Sequence, residues 1–146
     1  MVIAPGRAKR PNDFVIPQSV KVSDKEKCPF CIGSKTYKQN ERVHCVSTEN
    51  IYAIENKYPA FVEDESKSQI RSYYVEGSFY RARPSVGDHE VVIIKNHDLN
   101  LMTFSHEVMT ELFLVIKQRY ECMKKEKGVV SITPIYNHGA EAGASI

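Results

Sequence analysis

The pattern of apolar residues predicts an α+β protein, a mostly antiparallel sheet carrying one main helix. Three observations predict it. Short β-branched or aromatic runs recur at Arg42 to Val46, Ile51 to Glu55 and His89 to Lys95, separated by turn-forming residues. After Ser105, apolar residues fall at spacings of three and four, the period of a helix. A further β-branched run, Val129 to Tyr136, follows that helix, so strand, helix and strand come in series. A length of 146 residues suits one domain, 1–146, with its own core, and a chain that is 42% hydrophobic and 26% charged is neither disordered nor fibrous.

Taken in order, the residues up to about Asp24 hold Pro5, Pro11 and Pro17 with little periodicity, which predicts an extended arm. Cys28-Pro29-Phe30-Cys31-Ile32-Gly33 is a tight knuckle. Two short strands follow, 42–46 and 51–55, and Asn56-Lys57-Tyr58-Pro59-Ala60 is the loop after the second. The polar, acidic stretch Val62 to Arg71 reads as a solvated surface loop, Ser72 to Val75 resumes a strand, and Gly77 to Asp88 is irregular, turning at Pro84 and Gly87. Val91-Val92-Ile93-Ile94 is apolar on both faces, which predicts a central strand. After the turn at Asn96-His97-Asp98, Ser105 caps a helix whose core side is Met109, Leu112, Phe113, Ile116, Tyr120 and Met123, ending near Gly128. The strand Val129 to Tyr136 then delivers a small-residue loop, Asn137 to Ile146. Its glycines and alanines let backbone amides approach an anion, and Asn137 and Ser145 add side-chain hydrogen bonds.

Charge and composition remove several classes of function. A net charge of +2 is too small to argue for nucleic acid as a partner, although Arg7, Lys9 and Arg10 cluster and could serve one phosphorylated ligand. No apolar run is long enough to span a bilayer, and Met1 to Pro5 is too brief for a secretory segment, so no membrane partner and a cytoplasmic location are expected. Reduced thiols are then the natural state of Cys28, Cys31, Cys45 and Cys122, with Cys45 in a strand and Cys122 a core or half-buried helix residue.

C-x-x-C aims two thiolates at one point from a single turn, and nothing around Cys28 and Cys31 resembles the strand-to-helix setting of a redox pair. Zinc is the preferred reading, ahead of redox chemistry or two unrelated thiols, and four-coordinate zinc needs two further ligands. Local pattern singles out none of the histidines. His44 and Cys45 are adjacent in a strand and point to opposite faces, so both could not readily join the knuckle on one ion. His106 decorates a helix start, and His89 reads as a surface or supporting residue. His97 sits at a strand end, where a side chain is held firmly yet left reachable, which suits a ligand without requiring one. Arg7 and Arg10, three apart, can form a fork for a nucleotide phosphate or ribose, or simply solubilise the arm. Asn56 can close an Asx turn.

Together, Arg7-Ala8-Lys9-Arg10-Pro11, Cys28-Pro29-Phe30-Cys31, the Asn56-to-Ala60 loop, Gly87-Asp88-His89-Glu90-Val91 through His97, and Asn137 to Ile146 resemble the galactose-1-phosphate uridylyltransferase family, a branch of the histidine-triad superfamily. They occur in the family's order along nearly the whole chain. The resemblance implies a histidine-triad-like fold corresponding to most of an N-terminal half, with Cys28, Cys31 and His97 as three zinc ligands and a fourth histidine just past Ile146. It implies nucleotide contacts from Arg7, Arg10 and Asn56, and phosphate contacts from Asn137, Gly143 and Ser145. It implies a nucleotidyltransferase of the hexose-1-phosphate uridylyltransferase type, acting on a nucleotide sugar and a hexose 1-phosphate and working as a homodimer. The attacking histidine of a nucleotidyl-histidine intermediate belongs to a His-Pro-His motif beyond residue 146, so the chain by itself is expected to be inactive. Two alternatives remain: a nucleotide-sugar phosphorylase or hydrolase of the same superfamily, and a non-catalytic zinc-stabilised binding module.

Overall fold

A computed structural model describes residues 25–26, 28–38, 44–68, 73–74, 79, 81–82 and 84–137. The expected arm, with Arg7 and Arg10, and the loop positions Gly143 and Ser145 lie outside the described residues. The architecture is α+β, as the sequence predicts: short antiparallel strands and one main helix. The described residues divide into two compact units, one running from Glu55 to Glu90 and the other made of the segments up to Ile54 and from Val91 onward.

In the second unit the helix α1 (Lys35–Lys38) is one turn that the sequence pattern does not announce. The strands β1 (His44–Ser47), β2 (Ile51–Glu55) and β5 (Glu90–Ile94) form a sheet in the order β1-β2-β5. β1 and β2 are an antiparallel hairpin whose register slips between His44 and Val46. At the ends of the β2 and β5 ladder, Lys95 N donates to Asn50 O at 2.8 Å and Asn56 N to His89 O at 2.8 Å, an antiparallel pattern.

This order corrects the expectation that Val91 to Ile94 is the central strand. Among the described residues β2 is central, with Ile51, Tyr52, Ala53 and Ile54 all 0% exposed, whereas β5 is the outer strand and only its Ile93 is buried, at 1%. The reason is chemical. A β-branched run signals apolar surroundings but not rank in the sheet, and Tyr52 masks the burial of β2 in sequence. Its ring packs with Ile54 and Ile93 while its hydroxyl donates to Phe30 O, so the polar tip is satisfied inside the core. Phe30, Tyr37 and Val91 close around that cluster.

The helix α2 (His106–Met123) begins as expected, with Ser105 Oγ accepting from Val108 N at 3.2 Å. Its buried side chains are Val108 and Val115, seven apart, while Phe113 and Tyr120 of the predicted stripe are 62% and 45% exposed. The helix is apolar at consecutive positions, Val108-Met109 and Leu112 to Ile116, so spacing alone leaves the buried side undecided. It also stops at Met123, with Lys124 as its cap, and closes through turns to Gly128, which holds φ +91. Cys122 is exposed, which corrects its placement in the core.

α2 packs on β1 and is tied to the hairpin by Glu111, whose Oε1 accepts from Asn50 N at 2.9 Å and Oε2 from Asn50 Nδ2 at 2.8 Å. Burial pushes the Glu111 carboxyl up, but hydrogen bonds from Thr48 and Asn50 and the nearby Lys95 charge outweigh it and hold the group below its usual value. A depressed folded value means stability present above the unfolded value and lost as pH falls through the folded one. Glu111→Gln is therefore expected to cost roughly 1 kcal/mol at neutral pH, with the difference from the unmodified chain shrinking as pH falls through the lowered folded value. Urea midpoints of both proteins across pH measure it; a pH-independent difference would show that the charge contributes nothing.

Val129 to Tyr136 forms no strand, a second correction. Val130, Ile135 and Tyr136 are 94%, 80% and 55% exposed. β propensity is realised only where a ladder is available, and Pro134 has no N–H to donate to one. The segment pairs with no strand among the described residues.

In the first unit, β3 (Tyr73–Tyr74) pairs antiparallel with β4 (Arg81–Ala82), the latter inside a stretch expected to be irregular. Val62 bridges in parallel to Val86, its N donating to Ser85 O at 2.9 Å and its carbonyl accepting from Gly87 N at 3.0 Å. Of the expected surface loop, residues 62–68 are described; they are largely exposed and include a 3-10 turn, Glu65–Lys67, capped by Asp64.

Candidate metal centre

Three segments of the second unit meet at one point. The knuckle is shaped by its own backbone: Phe30 N donates to Cys28 Sγ at 3.4 Å, Ser34 N donates to Cys31 O at 3.0 Å, and Gly33 takes φ +91, a conformation that residues with a Cβ rarely adopt. Ser34, buried, fixes both ends of the turn by donating from Oγ to Cys28 O at 2.6 Å and accepting from Tyr37 N at 2.9 Å. Tyr52, from the sheet centre, holds Phe30 O. On the other side β5 ends and the chain turns at Asn96, whose Oδ1 accepts from Asp98 N at 3.1 Å and whose carbonyl accepts from Leu99 N at 3.2 Å. That turn presents His97 to the knuckle.

His97 Nδ1 lies 3.5 Å from Cys28 Sγ and 3.6 Å from Cys31 Sγ, and one ligand atom from each of the three residues lies within 4.8 Å of the others. One nitrogen carries one proton or one lone pair and cannot serve two thiols as full hydrogen-bond partners. A shared cation can satisfy all three. With metal–sulfur bonds near 2.3 Å and metal–nitrogen bonds of 2.0–2.1 Å, a tetrahedral ion holds sulfur and nitrogen about 3.5–3.6 Å apart. The observed separations fit that edge.

Burial pushes His97 below its usual value, helped by Lys25 and opposed by Asp98, so at neutral pH the ring is in its neutral, ligating form. Burial pushes the Cys31 thiol up, reinforced by the hydrogen bond and charge of Cys28 and opposed by Lys25. Without a cation the thiol therefore keeps its proton, which an incoming metal must displace. The second ring nitrogen, Nε2, is buried and hydrogen-bonded to nothing among the described residues, a cost of about 1–3 kcal/mol that a ring with no other task would not hold in place. Cys28 is buried while Cys31 is half-buried and lines a cleft of about 430 Å³ with Phe30, Ser34, Tyr52 and Lys95, so the cluster is reachable from solvent.

Of the residues expected to act, Cys28, Cys31 and His97 are brought together. Asn56 belongs to the first unit, where its Oδ1 accepts from Tyr58 N at 2.9 Å and makes the expected Asx turn. Asn137 is exposed at the last described position. His106 opens α2 and is exposed, and His89 is half-buried among hydrogen bonds that the sequence did not foretell. Ser34 and Tyr52, which brace the knuckle, were also missed. The serine three residues before Tyr37, just ahead of a helical turn, is the signal that could have marked the first.

An α+β domain with a two-cysteine, one-histidine cluster whose ligand atoms lie close enough to hold a metal ion is the class these features define. The chain belongs to the galactose-1-phosphate uridyl transferase family, whose N-terminal domain matches residues 2–146. ADP-glucose phosphorylase of Arabidopsis thaliana is 28% identical over 151 residues, an alignment covering 100% of this chain and 42% of that protein. The chain therefore spans less than half the length of that relative. No solved structure gives a significant match.

Proposed function

We propose that this chain is the N-terminal half of an enzyme that passes a nucleotidyl group from a nucleotide sugar to a hexose 1-phosphate, with zinc held by Cys28, Cys31 and His97. The convergence of those three ligand atoms, in a chain matched by the family domain along residues 2–146, carries the reading. Zinc supplies no redox chemistry here; it ties the knuckle to the end of β5. Arg7, Arg10 and Asn56 contact the nucleotide, and Asn137, Gly143 and Ser145 the phosphates. The nucleophile is a histidine outside these residues. Its ring nitrogen bonds the α-phosphorus as the bond to the departing sugar phosphate breaks, and the acceptor phosphate then reverses the step, releasing the histidine. Amides and cations around the phosphates offset the charge that spreads over their oxygens as this happens. A homodimer and a cytoplasmic location belong to the same proposal; no described helix is long and apolar enough to cross a membrane.

The relative's name favours a second reading, in which inorganic phosphate replaces hexose 1-phosphate as acceptor. One experiment separates these. The 146-residue chain and a form extended through the histidine motif and second half are incubated with UDP-glucose or ADP-glucose labelled in the α-phosphate. The extended form is expected to acquire acid-labile, base-stable label, discharged by hexose 1-phosphate in the transferase and by phosphate in the phosphorylase. The short chain is expected to acquire none. Label on it would put the nucleophile among its own five histidines, His138 foremost. An extended form that takes no label from either donor would instead favour the zinc-stabilised binding module.

A further inference from the structure

The Asn56 side chain sits between two N–H donors and has one oxygen to offer. Ala60 N donates to His89 Nδ1 at 3.0 Å, so that ring nitrogen is bare and a neutral imidazole carries its proton on Nε2. Nε2 lies 3.1 Å from Asn56 Nδ2, while Asn56 Oδ1 accepts from Tyr58 N at 2.9 Å. The Asn56–His89 contact is therefore donor against donor. Turning the amide over does not relieve it, because the amide nitrogen would then face Tyr58 N. Both groups are nevertheless held in place: Asn56 N donates to His89 O at 2.8 Å, and the Phe61 ring meets the imidazole edge to face, with centroids 6.2 Å apart. All these residues belong to the first unit.

We infer that Asn56 Nδ2 and His89 Nε2 form a two-donor cradle for one oxygen atom of the nucleotide, which makes His89 a binding residue beside Asn56 and rests on the nucleotide role proposed for Asn56. An acceptor set against both nitrogens turns a repulsive contact into two hydrogen bonds. Successive backbone amides aimed at one point make anion sites in the same way. Because loop and ring are fixed beforehand, little ordering is left to oppose binding. One substitution separates the fold from recognition. Asn56→Asp offers two acceptors where the amide offers one, so it can satisfy Tyr58 N and His89 Nε2 together, yet it leaves no pair of donors for a ligand.

Uridine, UDP and ADP are titrated into the unmodified chain, Asn56→Ala, Asn56→Asp, His89→Asn and His89→Gln, with the melting temperature of each protein recorded. Asn56→Asp is expected to melt above the unmodified chain and to bind UDP about tenfold more weakly or worse. His89→Asn can keep an acceptor for Ala60 N but places no donor at Nε2, so it should hold its melting temperature and weaken binding several-fold. His89→Gln can bring an amide N–H near Nε2 and should bind more tightly than His89→Asn. The three ligands locate the oxygen: a loss with all of them marks the ribose, with UDP and ADP alone a phosphate, and with UDP and uridine alone the uracil carbonyl. If Asn56→Ala binds as tightly as the unmodified chain, the nucleotide role of Asn56 fails and the cradle with it. If Asn56→Ala weakens binding but His89→Asn does not, or if Asn56→Asp melts below the unmodified chain, the cradle fails and the nucleotide role stands. Long-range proton–nitrogen NMR spectra of the His89 ring give the tautomer directly, and a proton on Nδ1 would overturn the donor pair.

Discussion

Replacing Ile93 with aspartate is expected to destabilise the chain by about 4 kcal/mol or more, the range of the worst core substitutions. Ile93 is 1% exposed and packs against Tyr52 and Ile54, so a carboxylate there must either lose its hydration or open the cluster. It also sits four residues before His97 on the strand that leads into the ligand turn, so opening the cluster should loosen metal as well. Ile93→Val is the control, expected to cost about 1 kcal/mol because only a methylene is removed. Urea unfolding followed by tyrosine fluorescence measures both; an unchanged midpoint for Ile93→Asp would refute the placement of this side chain in the core.

Cys28→Ser is expected to lower zinc affinity by more than about 100-fold, beyond the loss usually seen when only a residue supporting a ligand is removed. The sulfur is buried 3.5 Å from His97 Nδ1, and a serine hydroxyl at the same place is a poor zinc ligand that does not ionise near neutral pH. A chelator acting on the unmodified chain should produce the same fall in melting temperature, since binding energy at such a site is folding energy. Near neutral pH, affinity is expected to fall by at least about tenfold per unit of acidification, because the raised Cys31 thiol must release its proton to bind while the lowered His97 ring is already neutral. Competition with a zinc indicator across pH tests this. A flat profile would mean that Cys31 is not a ligand.

The cysteines of the knuckle were legible because C-x-x-C is a local geometry, complete within four residues. His97 was not legible in that way. Its place depends on where β5 ends and on the turn that Asn96 makes, and local pattern left it level with His44, His89 and His106 until the family resemblance separated them. Strand β5 was found but misranked, since aliphatic character reports surroundings and not strand order, while Tyr52 concealed how deeply β2 is buried. On α2 the period of three and four was real, yet apolar residues on neighbouring stripes let the sequence choose Phe113 and Tyr120 where the fold buries Val108 and Val115. Val129 to Tyr136 shows the same limit for strands, because propensity without a ladder partner leaves β-branched residues exposed. Asn56 is legible as an Asx residue, but the hydrogen bonds from Asn56 N and Ala60 N to His89, thirty-three residues from Asn56 in sequence, have no local signal.

X-ray absorption at the zinc edge, on the chain purified without chelator, tests the shared metal site most directly. The expected result is a full complement of zinc with two sulfur atoms at about 2.3 Å and lighter ligands at about 2.0–2.1 Å, one of them an imidazole. Protein without zinc that also fails to take it up at neutral pH, or zinc surrounded by light atoms alone, would contradict the assignment of Cys28, Cys31 and His97 to one ion.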